Sequence, residues 1–220
     1  WIRKNSSILI KCGPGTGKTF LALQFIMQGA KQGDKGIFIT AEEELDDLRA
    51  YAKSLGIDLE EYEKKKMIYL VKQPVALKKL TTISVPLEIM RKEKAKRVVL
   101  DSLTIFKYST QDEMSYRKEV LDLIGNMKKV LFLATAEEPK EGVDNLKSSS
   151  EDHLFDGIIR MIKVRRGNNF ERCIFITKMR GQDHLIDIFP LSIKKNGITI
   201  HNKEIPFSLI SKDFEKWQIQ

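Results

Sequence analysis

The sequence predicts an α/β fold, with a mostly parallel sheet flanked by helices that passes into antiparallel strands in the C-terminal third. Three observations predict it. Short, nearly continuous apolar runs alternate with helical stretches, the pattern of strands covered on both faces. A glycine-rich turn, Gly13-Pro14-Gly15-Thr16-Gly17-Lys18-Thr19, joins the first apolar run to the first helix. From Ile158 onward the helices stop, and paired β-runs with hairpin signals take over.

Ser7-Ile8-Leu9-Ile10-Lys11 reads as the first strand. Lys18 to about Gln32 reads as a helix, apolar on nearly every side in its first half and so largely buried, stopped by Gly33. Gly36 to Thr40 is the second strand. Leu45 to Leu55 forms a helix closed by Gly56, since glycine accepts the left-handed conformation of a helix end. Asp58 caps a short helix ending near Lys66, before the strand Met67 to Val71. Ser84 with Pro86 starts a helix running to about Lys94, followed by the strand Arg97 to Leu100, which ends at Asp101. Ser115 caps a helix to about Asn126, and Val130 to Ala134 is the next strand. Ile158 to Val164 and Cys173 to Thr177 are joined by a tip at Arg165 to Asn169. Ser192 to Lys194 and Ile198 to Ile200 flank Asn196-Gly197, a hairpin turn.

Composition narrows the classes. Length suits a single domain, and a chain of 42% hydrophobic and 31% charged residues can fold around a core rather than remain disordered. No apolar run approaches the roughly 20 residues that span a bilayer. The first residues, Trp1 to Asn5, lack the apolar stretch of a signal peptide, and a Trp start is compatible with a piece of a longer protein. Cys12 and Cys173 make neither a disulfide framework nor a metal cluster, so a reducing cytoplasm is expected. Net charge is +8, from 38 basic and 30 acidic residues, which permits a polyanionic partner without requiring one.

The glycine-rich turn carries the chemistry. Its glycines let consecutive N–H groups curl inward at a phosphate, and the helix N-terminus adds favourable partial charge. Gly13, Pro14, Gly15, Thr16 and Gly17 form the cradle, Lys18 reaches the β- and γ-phosphates of a nucleotide, and the Thr19 hydroxyl ligates Mg²⁺. Cys12 stands where the usual pattern has its first glycine. Asp101, at the tip of a buried strand, supplies the second contact to Mg²⁺, through water. Glu42 and Glu43 follow the second strand, where a carboxylate orients and polarises the attacking water; the same acidic run, with Glu44, Asp46 and Asp47, also reads as a helix first turn favourable to the macrodipole. Thr135 is either a γ-phosphate sensor or an ordinary strand-end threonine. Lys178 and Arg180, two apart, point to one face and suit a phosphate, although on their own they read more readily as a basic strand end.

With these pieces in order the chain resembles a KaiC-type ATPase of the RecA superfamily of P-loop NTPases, from about Ile8 to His201. The resemblance rests on Gly13 to Thr19, on Phe38-Ile39-Thr40-Ala41-Glu42-Glu43, on Val98 to Thr104, and on Lys178-Met179-Arg180-Gly181 with His184. It implies a KaiC/RecA-like ATPase domain over residues 1–201, without the family's N-terminal helix, and a tail over 202–220. It implies ATP bound between neighbouring copies of a ring, usually a hexamer, with the Glu pair activating water and Lys178 and Arg180 acting on the next subunit's γ-phosphate. Where one domain of the clock member phosphorylates a hydroxyl pair on itself, this sequence has Asp152 and His153, so autokinase activity is not expected.

Three functions compete: a slow, ring-forming regulatory ATPase with an unknown protein partner, a recombinase-like ATPase on DNA, and an ATP-bound scaffold. The stretch from Ala136 to His153 carries six acidic residues against Lys140 and Lys147 and has no aromatic residue, which disfavours a nucleic-acid backbone. The basic run Arg91 to Arg97 is placed at the sheet end away from the nucleotide and reads as a solvated face. The regulatory ATPase is the leading expectation, because Glu42, Asp101, Lys178 and Arg180 are all present.

Overall fold

The structure is a computed structural model and describes residues 2–73, 84–138, 148–166 and 168–206. The elements are β1 (Ser7–Cys12), α1 (Lys18–Lys31), β2 (Gly36–Thr40), α2 (Leu45–Ser54), α3 (Leu59–Lys64), β3 (Ile68–Lys72), α4 (Ser84–Glu93), β4 (Arg97–Asp101), α5 (Thr104–Ser109), α6 (Glu113–Asn126), β5 (Leu131–Glu137), a 3₁₀ turn (Ser150–His153), β6 (Gly157–Arg166), β7 (Asn169–Met179), β8 (Phe189–Lys194) and β9 (Gly197–Ile200). The nine strands form one sheet in the order β3-β2-β4-β5-β1-β6-β7-β8-β9. Strands β3 to β6 in that order run parallel, whereas β7, β8 and β9 continue antiparallel. Among the described residues no helix is long and apolar enough to cross a membrane.

Side chains alternate across the pleat, so each central strand feeds two cores. Leu9, Ile37, Ile39, Val98, Leu100, Phe132 and Ala134 face one side, where Met90 of α4 and Tyr116, Val120 and Leu123 of α6 cover them. Ile10, Phe38, Val99 and Leu133 face the other, under Leu23, Ile26 and Met27 of α1 and Leu48 and Ala52 of α2. Burial on both faces explains why these strands read as continuous apolar runs.

The structure departs from expectation at several local points. Helix α6 begins earlier, because Asp112 rather than Ser115 is its cap: the Asp112 carboxylate accepts from the Ser115 backbone N–H at 2.9 Å and from its hydroxyl at 2.7 Å. Helix α5 and the 3₁₀ turn were not foreseen. Helix α5 has only six residues, with β-branched and aromatic side chains of weak helix propensity, and is seated by tertiary contact. The Leu103 N–H donates to the Thr135 carbonyl at 2.7 Å. Strand β5 continues through Thr135 to Glu137, because β1 pairs with it up to Cys12. The β6–β7 hairpin extends over the residues read as its tip, from Arg166 to Asn169. The middle of the acidic stretch, 139–147, and the tail beyond 206 lie outside the described residues.

Candidate active site

Strand β1 lies inside the sheet between β5 and β6, so the turn that leaves it emerges among the C-terminal ends of the parallel strands. Gly15 and Gly17 adopt φ of +69° and +109°, which side chains with a Cβ resist. A Cβ on Gly17 would also lie 2.5 Å from Ile193 Cδ1, so that side-chain end would have to shift. The Thr16 hydroxyl, fully buried, donates to the Gly13 carbonyl at 2.9 Å and closes the loop on itself. Helix α1 begins after Gly17 with no side-chain cap and no acidic residue in its first turn, so its amide N–H groups are presented to the loop. Cys12 takes the place of glycine at no visible disturbance, its thiol buried in the α1-side core and pushed up to about 11 by that burial.

At the tip of β4, Asp101 is 4% exposed. The Thr19 hydroxyl donates to its Oδ2 at 2.7 Å, and the Thr135 hydroxyl donates to its Oδ1. Burial holds the Asp101 carboxyl above the usual range, against the pull of these bonds and of Lys18. Sequence reasoning left Thr135 between two roles; here its hydroxyl is a hydrogen-bond donor to Asp101. Beside it, Glu42 follows β2 and accepts from the buried Ser102 hydroxyl. Glu43 is fixed through its backbone, its N–H donating to the Thr40 hydroxyl at 3.0 Å. Glu44 leads into α2 and pairs with Lys72.

Lys18 is 2.8 Å from Glu137, at the last position of β5. Burial disfavours its charge, but Glu137, with Glu42 and Asp101 nearby, holds its pKa above the ordinary lysine value. Two further cations touch the loop. The Lys163 ammonium donates to the Pro14 carbonyl at 2.7 Å, and the Arg172 guanidinium donates to the Gly15 carbonyl at 3.4 Å. Lys163 and Arg172 are register partners across β6–β7. Sequence reasoning missed Glu137, Lys163 and Arg172 as site residues. No sequence signal points to Glu137, because its place beside the loop depends on β5 flanking β1; the usable signal for the cations is the hairpin register.

Lys178 and Arg180 both reach the 150–156 segment of their own chain. Lys178 donates to the carbonyls of Asp152 and Phe155, each at 2.7 Å, and Arg180 donates to that of His153 at 2.7 Å. Strand β7 ends at Met179, so Arg180 already belongs to the turn. The 150–156 segment they grip is anchored twice. Phe155 is fully buried and stacks on Phe132 with ring centroids 6.1 Å apart. Asp152 joins a buried cluster in which Lys11 lies 2.9 Å from it and 3.7 Å from Glu138, and Arg160 pairs with both Glu138 and Asp152.

The donor set suits Mg²⁺ held jointly with a nucleotide. Among the described residues no group of three or more His, Cys, Asp and Glu could hold a metal. Thr19 and Asp101 instead offer one hydroxyl and one carboxylate side by side, a partial shell that phosphate oxygens and water would have to complete around Mg²⁺.

Comparison with known proteins agrees with this geometry. The family model of the KaiC ATPase matches residues 2–205. A UPF0273 protein of Methanopyrus kandleri is 28% identical, over 93% of this chain and 87% of that protein. The circadian clock oscillator protein KaiC of Parasynechococcus marenigrum is 32% identical over 88% of this chain, which spans only 40% of the clock protein. The crystal structure of a KaiC-like protein from Pyrococcus horikoshii superposes with a TM-score of 0.79 at 29% identity, covering 91% of each chain. Glycine-loop geometry, sheet order and these matches agree: the chain belongs to the KaiC family of ATPases.

Proposed function

We propose that the protein hydrolyses ATP as a self-assembling switch, with each active site completed by a neighbouring copy. The loop 13–17 and the α1 N-terminus bind the phosphates, and Lys18 neutralises the β/γ end. Thr19 and Asp101 would hold Mg²⁺, which when bound would offset phosphate charge. Glu42, oriented by Ser102, accepts a proton from the attacking water. Glu43 lies one residue farther, tied to Thr40. Lys178 and Arg180 stabilise the charge that develops on the γ-phosphate of the next copy. Six such copies in a ring, the arrangement the family resemblance implies, would give every site the same neighbour.

One observation carries the shared-site reading. Through the strand registers, Cys12 is level with Met161, whereas Lys178 pairs with Ile158, three residues back along β6. That is about 10 Å down the strands and about 10 Å across two of them, away from the loop. A lysine or arginine there cannot reach its own phosphate loop; besides gripping the 150–156 segment, the two cations could therefore act only on a γ-phosphate bound to another copy.

Mixing tests this. Arg180→Ala alone should bind ATP but scarcely hydrolyse it, and Lys18→Ala should not bind. Mixed, they should recover activity, because an intact loop on one can face an intact Arg180 on the other. Co-assembly without recovery would refute the shared site.

A further inference from the structure

Glu137 occupies a mounted position, unlike an ordinary surface carboxylate. It is the register partner of Cys12, the residue that leads into the phosphate loop. Its N–H donates to the Thr104 hydroxyl at 2.7 Å, and the next N–H, that of Glu138, donates to the Cys12 carbonyl at 2.9 Å. Glu138 is itself fixed by Arg160 and Lys11. The backbone on both sides of Glu137 is therefore tied down, and its carboxylate lies 2.8 Å from the Lys18 ammonium. That ammonium is the group the β/γ-phosphates require. A carboxylate and a phosphate cannot both take the same face of one ammonium without bringing two anions together.

We propose that Glu137 is a resident anion of the nucleotide site, which a polyphosphate must displace from Lys18 on binding and which reclaims Lys18 as product leaves. The proposal rests on the nucleotide-binding reading above. It makes Glu137 a determinant of affinity and release rather than a catalytic residue. The pair is half open to solvent, with side-chain exposures of 18% for Lys18 and 45% for Glu137, so the competition is modest and screened by salt.

The test is nucleotide binding by Glu137→Gln, which keeps shape and removes charge, and by Glu137→Asp, whose shorter chain withdraws the carboxylate from Lys18. Calorimetry with Mg·ADP at low salt should show both variants binding roughly twofold to fivefold more tightly than wild type. Release of a fluorescent ADP analogue should slow in proportion. The gain should shrink as salt is raised. Without nucleotide, neither variant should melt higher than wild type, since a stabilising pair has been removed. Wild-type binding with an equal or weaker Glu137→Gln would overturn this proposal alone. A gain independent of salt would overturn it too, by showing that charge is not the cause. Wild type failing to bind Mg·ADP would overturn the nucleotide reading and this proposal together.

Discussion

Removing Arg160 puts the buried charge cluster behind the phosphate strand under a direct test. The cluster is balanced, with Lys11 and Arg160 against Glu138 and Asp152. Lys11, Asp152 and Arg160 are each under 5% exposed. Arg160→Met keeps an apolar stem of similar length but leaves two carboxylates facing one ammonium. Breaking a buried pair from one side costs about 3–5 kcal/mol, because the surviving charge stays desolvated without its partner. For a domain of this size each kcal/mol moves the melting point by about 2–4 °C, so a fall of roughly 10 °C is expected. Arg160→Met with Glu138→Gln restores the balance and should recover much of the loss, since neutral replacements of a buried pair cost far less. Urea unfolding followed by circular dichroism measures both. Lys178 and Arg180 donate to carbonyls of the segment that carries Asp152, so Arg160→Met should lower ATP turnover more than nucleotide affinity. A single-variant loss below about 1 kcal/mol, or a double variant whose loss equals the sum of the two singles, would refute the reasoning.

Other expectations follow from the same geometry. Glu42→Gln should bind ATP normally and turn over at least about tenfold more slowly, roughly 1.4 kcal/mol in barrier, whereas an inactive Glu43→Gln beside a normal Glu42→Gln would reverse their assignment; steady-state phosphate release decides. Asp101→Asn should separate stability from function. Burial raises the Asp101 carboxyl, so the folded state binds its proton more tightly than the unfolded state, and the ionised group weakens the fold at neutral pH. The variant should melt no lower than wild type without nucleotide while losing Mg-dependent turnover. Acid should act through Asp152. Its burial raises the pKa, but Lys11 and Ser149 outweigh that and hold it below the usual value of 3.8. Its contribution is present above that value and is lost as pH falls through the lowered one. Wild-type stability should therefore drop below about pH 4, more steeply than that of Arg160→Met, as melting curves across acid pH would show.

Local chemistry determined what could be read along the chain. Gly15 and Gly17 mark a turn that only glycine fits, Asp58 caps α3 as expected, and Val98 to Leu100 declare a strand buried on both sides. Each depends on neighbours a few residues away, so sequence carries the signal. The Asp112 cap was lost because Ser115, three residues on, offers an equally good capping group, and their mutual hydrogen bonds exist only once α6 forms. Tertiary structure alone decided the order of strands, which depends on how crossovers pack rather than on any one run. That order brought Glu137 against Lys18 across 119 positions and Lys163 against Pro14 across 149. It also turned Lys178 and Arg180 away from their own loop and onto the 150–156 turn. Sheet pairing converts sequence distance into register, and a charge acquires its partner only when register sets two strands side by side.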